Sequence, residues 1–244
     1  MKLLFLIPVT AEYERKKNEI KTYLQRYLNP DTVVEFAQIS EGFRSIESDL
    51  QGVYNGWQTV NVIKELGRSY DGVYINCFDD PGVSPCRELG IVPVIGPYQA
   101  AIHSALVIAD KIGIITTDTA GIIHEERKAK QIGMRENIAS IIPVDLEVDD
   151  IREKSELLID RLIPVCRRMS EEQGIKAICL GCTGMFYIAD ILNEKLKQEQ
   201  INVTVIEPMV NAMKFLETMV MLKYDNSVSV NPDIRSAEIS CIKR

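Results

Sequence analysis

The chain is poor in histidine, with two residues in 244, and it has a single tryptophan. So little imidazole argues against a histidine-based metal centre. His103 and His124 both fall in helical patterns and read as surface or hydrogen-bonded core residues. A basic run is also lacking. Lys plus Arg is 28 and Asp plus Glu is 35, so the formal net charge is 28 − 35 = −7. That balance argues against a phosphate-backbone grip, and no nucleic-acid partner is expected. No apolar run approaches the ~20 residues that cross a bilayer, so no membrane partner is expected. The opening M-K-L-L-F-L-I is cut by Pro8 and followed by A-E-Y-E-R-K-K, without a small-residue cleavage site. It reads as a buried first strand, not an export signal. The six cysteines are then expected as reduced thiols in a cytoplasmic protein. Three phosphate and nucleophile fingerprints are missing as well: G-x-G-x-x-G after a strand, G-x-x-x-x-G-K-[ST], and G-x-S-x-G. Dinucleotide enzymes, P-loop ATPases and α/β-hydrolases lose ground accordingly.

What is present is an ordinary globular composition, 46% hydrophobic and 26% charged. The length suits one large domain or two small lobes. Short β-rich runs are expected over 3–9, 33–39, 72–76, 92–95, 112–116, 139–143, 177–181 and 203–206. Helical patterns lie between them, over about 11–28, 55–68, 82–89, 98–109, 119–133, 150–173, 185–199 and 209–222. The strands are continuously apolar, which suits parallel sheets covered on both faces, and the alternation is that of an α/β protein.

The chain also repeats itself. L-F-L-I-P-V-T (4–10) matches I-G-I-I-T-T-D (112–118), and G-V-Y-I-N-C (72–77) matches A-I-C-L-G-C (177–182). V-P-V-I-G-P-Y-Q-A-A (92–101) matches V-T-V-I-E-P-M-V-N-A (203–212). Three matches in the same order, offset by about 105 to 111 residues, predict two pseudo-symmetric lobes. Residues 1–98 with 208–222 are expected to form lobe one, and 99–207 lobe two. Residues 223–244 are expected to be a tail. Parallel sheets bind ligands beyond the carboxyl ends of their strands. Facing lobes would therefore put Cys77 and Cys182 on opposite walls of one cleft.

C-L-G-C (179–182) invites a zinc or dithiol reading, but residues three apart on a strand point to opposite faces, roughly 10 Å apart. Cys179 reads as core, like Cys86 and Cys166; Cys241 falls in the tail. Cys77 and Cys182 differ. Each ends a strand before a glycine-containing turn into a helix, where a helix N-terminus lowers a thiol pKa and offers N–H groups to an anion. Thr10, Thr116 and Thr117 follow apolar strands, as strand-closing residues or as hydroxyls lining the same cleft. Trp57 reads as a helix-packing residue.

Taken together, P-V-T (8–10), S-I-E-S (45–48), N-C-F-D-D-P-G (76–82), R-E-L (87–89), P-V-I-G (93–96), I-I-T-T (114–117) and L-G-C-T-G-M (180–185) resemble the aspartate/glutamate racemase superfamily, and within it the hydantoin and allantoin racemases. The resemblance spans about residues 1–220. It implies two similar α/β lobes with the active site between them, no cofactor, no metal, a small-molecule substrate and a homo-oligomer. It further implies that Cys77 and Cys182 are an acid/base pair. Pro8, Thr10, Ser45, Phe78, Asp79, Gly96, Thr117, Thr183 and Gly184 would then lie at the substrate. Racemisation removes a proton from one face of a carbon and returns it to the other, so two groups must flank that carbon. Amides at the two helix starts would stabilise the enolate-like intermediate.

Three places depart from the family pattern. The first loop reads Ile7-Pro8-Val9-Thr10-Ala11, where relatives usually have Asn-Pro-Asn-Thr. Asp79 replaces a glycine, and Gln99 stands where a glutamate is common. The expected function is cofactor-independent racemisation or epimerisation of a hydantoin-like compound. The alternatives are an amino-acid racemase or cis–trans isomerase on the same scaffold, or a non-catalytic small-molecule binding protein.

Overall fold

A computed structural model of the chain describes residues 1–145 and 155–224. The expected tail from 225 onward, with Cys241, and the first part of the helix expected over 150–173 lie outside the described residues.

Two four-stranded parallel sheets form the frame. The first contains β1 (Lys2–Ile7), β2 (Val33–Gln38), β3 (Gly72–Ile75) and β4 (Val94–Ile95), in the order β2-β1-β3-β4. The second contains β5 (Ile112–Thr116), β6 (Ile138–Pro143), β7 (Ala177–Leu180) and β8 (Thr204–Ile206), in the order β6-β5-β7-β8. The orders are identical under a shift of four. The strand pairs that repeat in sequence, β1 with β5, β3 with β7 and β4 with β8, occupy equivalent places. The inner strands β3, β5 and β7 are buried along their whole length, whereas the edge strand β2 alternates in burial. This is why the inner strands read as unbroken apolar runs: both faces are covered.

The covering helices are α1 (Glu14–Gln25), α2 (Asp49–Leu66), α3 (Val83–Glu88), α4 (Pro97–Ile108), α5 (Thr119–Gln131), α6 (Ser155–Glu171), α7 (Ile188–Gln198) and α8 (Pro208–Leu222). Two of them connect the halves. Tyr98, Ala101, Ile102 and Ala105 of α4 pack with Ile112, Ile114 and Ala177 of the second sheet. Met209, Ala212, Met213 and Leu216 of α8 return to Leu3, Phe5 and Tyr74 of the first. The two helices touch each other, with the Ser104 hydroxyl donating to Asn211 Oδ1 at 2.7 Å. The result is two α/β lobes, each a four-stranded parallel sheet covered by helices.

One element begins earlier than its sequence pattern. Helix α2 starts at Asp49 rather than near 55, after Ser48, whose hydroxyl accepts from the Gln51 N–H. Its early turns carry two glycines, and both serve close approach. A Cβ on Gly52 would lie 3.0 Å from Asp79 Oδ2, and one on Gly56 would lie 2.8 Å from the Gly82 nitrogen. Trp57, expected to be packed, is instead 46% exposed on this helix, along a groove beside α5. The helix buries its Asn55, Thr59 and Ile63 face and leaves the indole at the rim.

Candidate active site

The loops that follow β1, β3, β5 and β7 leave the same end of each parallel sheet. Asn76 and Cys77 come directly after β3, and Gly181 and Cys182 directly after β7. Both thiols are half-buried and free. Each sulfur has an amide of its own. The Gly184 N–H donates to Cys182 Sγ at 3.3 Å, and the Asp79 N–H plays the same part at Cys77. The turn after Cys182 is a short 3-10 turn, Thr183–Met185, and α3 does not begin until Val83. No α-helix therefore starts at either sulfur, and the expected lowering by a helix N-terminus is not realised. Burial dominates and pushes both thiols up. At Cys77 the Asp79 carboxylate raises the pKa further, while the Asp79 N–H and Lys128 lower it. At Cys182 the Gly184 N–H and Lys16 lower it.

Tyr13, just ahead of α1, joins the two cysteines. Its hydroxyl accepts from Asn76 Nδ2, and Asn76 Oδ1 accepts from the Tyr74 hydroxyl at 3.0 Å. Burial first, then the charges of Cys182 and Cys77, push the Tyr13 pKa up. The phenol thus stays protonated and within electrostatic reach of both thiols. Because Asn76 fills an acceptor position on that oxygen, its own proton is left for another partner.

The remaining loop residues are held as follows. The Pro8 carbonyl accepts from Asn55 Nδ2 at 2.9 Å; the same amide bonds the Phe43 carbonyl at 3.0 Å, and Asn55 Oδ1 accepts from the Phe43 N–H at 2.8 Å. Fully buried Asn55 thereby ties the first loop to the 42–43 segment. The Thr10 hydroxyl donates to the Gly42 carbonyl at 3.1 Å. Ser45 is half-buried in the bend before α2, and Thr117, Thr183 and Gly184 are half-buried beyond β5 and β7. Phe78 is buried in the hydrophobic cluster of Tyr98, Ala101 and Ile102, with its ring 5.1 Å from that of Tyr98. Asp79 lies 3.3 Å from Lys128 Nζ. Gly96 is buried against the carboxylate of Asp80, which accepts from the Tyr98 and Gln99 amides at 3.0 and 3.2 Å and caps α4. Gln99, in place of a glutamate, accepts from Arg87 at 2.8 Å.

Sequence reasoning passed over Tyr13, Asn55, Asn76, Asp80 and Lys128. Only Asn76, Asp80 and Asn55 had a local signal: the first two flank Cys77 within N-C-F-D-D-P-G, and the third is a polar residue at an apolar position of α2. Cys179 lies in the Ala177–Ile114 cluster on one face of β7, and Cys182 packs against the cluster on the other. The C-x-x-C pair is divided as the strand period requires. Among the described residues, no three His, Cys, Asp or Glu side chains converge as a metal site.

The Asp/Glu/Hydantoin racemase family matches residues 14–216. The chain belongs to that family. A hydantoin racemase from Paenarthrobacter aurescens is 28% identical over 208 residues, covering 83% of this chain and 85% of the relative. One from Rhizobium meliloti is 31% identical over 64% of this chain and 63% of its own length. Among solved structures, allantoin racemase from Klebsiella pneumoniae superposes with a TM-score of 0.85 at 28% identity, over 96% of this chain and 93% of that one. Membership in the racemase family makes the protein an isomerase of the racemase type.

Proposed function

We propose that the protein racemises or epimerises a hydantoin-like compound, a 5-substituted hydantoin or allantoin, with Cys77 and Cys182 as the two acid/base groups and no cofactor. The observation that carries this reading is the equivalence of the two thiols. They follow β3 and β7, matching strands of two like sheets, and each acts electrostatically on the same tyrosine hydroxyl. Similarity to hydantoin racemases in sequence and to an allantoin racemase in structure supports a cyclic amide substrate.

The carbon to be inverted carries a hydrogen acidified by a carbonyl and a ring nitrogen. One cysteine, as thiolate, takes that proton on its own face. The other, as thiol, gives its proton to the opposite face. The carbon is inverted, one proton has crossed, and the cysteines have exchanged protonation states. The amides of Asp79 and Gly184 serve the sulfurs rather than the substrate. They favour the thiolate against the cost of burial. The enolate oxygen then needs another donor, and the protonated Tyr13 hydroxyl fills that role. The 8–10 loop, held by Asn55, and Thr117, Thr183 and Gly184 form the surroundings of the ring.

The test is incubation with single enantiomers of 5-substituted hydantoins, allantoin, aspartate and glutamate in D2O, following optical rotation and Cα deuteration. Loss of rotation with deuterium incorporation is expected for a cyclic amide. Turnover of aspartate or glutamate alone would assign the protein to amino-acid racemisation. Ligand-induced thermal stabilisation without exchange would make it a binding protein.

A further inference from the structure

Lys128 belongs to α5, a helix of the second sheet, yet its ammonium sits on the loop that follows β3 of the first. Nζ donates to the Phe78 carbonyl at 2.9 Å, lies 3.3 Å from Asp79 Oδ1 and 3.2 Å from Glu125 Oε2, and stands over the Tyr98 ring at 4.3 Å from its centroid. Its side chain is only 13% exposed. Burial alone would lower the pKa of such a lysine. The carboxylates of Glu125, Asp79 and Asp80 more than reverse this, so the ammonium is held charged. One of the residues it grips is the departure from the family pattern. Asp79 replaces a glycine two positions after Cys77, and its two polar parts act oppositely on that sulfur. The carboxylate repels a thiolate and the N–H supports one.

We propose that Lys128 is the positioning residue of Cys77: it pins the Phe78–Asp79 peptide so that the Asp79 N–H meets the sulfur, and it neutralises the carboxylate that Asp79 brings there. This rests on the reading of Cys77 as an acid/base group. It also makes a helix of one lobe the regulator of the thiol of the other. The charged and titratable groups facing the sulfur are Asp79 from its own loop, Tyr74 of β3, Lys128 from α5, Cys182 beyond β7 and Tyr13 ahead of α1. Glu125 and Asp80 act through Lys128, and Arg87 acts on Asp80. A groove of about 610 Å³ between α2 and α5, lined by Trp57, Asp79, Pro81, His124 and Lys128, runs along the same loop.

The test measures Cys77 directly, by the pH dependence of its alkylation with iodoacetamide in a Cys182→Ser background, with the labelled peptide identified by mass. Lys128→Met is expected to move the midpoint up by about one pH unit or more, and Asp79→Asn to move it down by a similar amount. The double variant should return close to the parent. In the two-cysteine protein, the alkaline rise of kcat/KM should shift in the same directions. If Lys128→Met does not fold, Asp79→Asn and the double variant still decide. Midpoints equal to the parent's in Asp79→Asn and in either lysine variant would overturn the proposal, as would a downward shift in Lys128→Met. Shifted midpoints in a protein that exchanges no cyclic amide would keep the positioning role and remove the substrate reading. Racemase turnover with unmoved midpoints would do the reverse.

Discussion

At Cys77 and Cys182, burial and local amides pull the thiol pKa in opposite directions, and burial wins. Both side chains are therefore held mostly as thiols, the form in which the proposed acid/base pair starts. It follows that kcat/KM should rise with pH across the neutral to alkaline range, as the thiolate fraction grows. A rate that falls from neutral pH upward would contradict this. The two faces can also be separated. Cys182→Ser should abolish racemisation while Cys77 still exchanges the Cα hydrogen of one enantiomer with D2O, with retention. Cys77→Ser should do the same for the opposite enantiomer. Proton NMR of each enantiomer checks both, and exchange of both enantiomers by either variant would exclude one base per face. Tyr13→Phe keeps the ring and removes the proposed donor to the enolate oxygen. A loss of about 100-fold in kcat is expected, comparable to deleting one oxyanion-hole donor. A change confined to KM would mean that Tyr13 only binds.

Among the elements, the repeated strand-to-helix junctions show one problem solved twice. Helices α4 and α8 begin at matching positions of the repeat, where Gly96 corresponds to Glu207. In the second lobe, Glu207 accepts from the Met209 and Val210 amides at 2.9 and 2.6 Å and caps its own helix. In the first lobe the residue is glycine, and the carboxylate arrives from Asp80 across the loop. A Cβ on Gly96 would come within 2.2 Å of Asp80 Oδ1. Gly96→Ala must therefore displace the cap of α4 and should cost about 2 kcal/mol in urea unfolding. The same change in an Asp80→Ala background should cost much less, because the clash and the cap share one carboxylate. Additive losses would show that the two positions are independent. The repeat made these junctions legible as helix starts. The partner of the α4 cap was not legible, since the bond joins residues 18 and 19 positions apart. The early turns of α2 were lost for a related reason. Gly52 lies before the expected helix of 55–68, and only its contact with Asp79 shows why a glycine is needed there.

For the molecule as a whole, the sheets were readable because inner strands covered on both faces must be apolar throughout, as in 72–75 and 177–180. The frame around the thiols was not, because Asn55 to Pro8, Lys128 to Phe78 and Asn76 to Tyr13 span 47, 50 and 63 residues. The same frame carries a pH signature. Burial, as the largest cause in each case, raises Asp80 from 3.8 to about 6, Glu125 from 4.5 to about 7 and Glu207 from 4.5 to about 8. Each group binds its proton more tightly folded than unfolded. The stability this contributes is complete below the unfolded values and is lost as pH rises through the folded ones. The unfolding free energy should accordingly fall by a few kcal/mol between about pH 5 and pH 9, and the raised thiols should extend the fall above that. Glu207→Gln removes one of these titrations and keeps a capping oxygen, so its thermal midpoint should vary less with pH than the parent's. A midpoint that rises from pH 5 to pH 8 would reverse the sign and refute the account. The two trends oppose one another, since thiolate formation gains with pH while the buried carboxylates make the fold weaker. Activity measured at a temperature close to the unfolding midpoint should therefore peak at a lower pH than activity measured well below it.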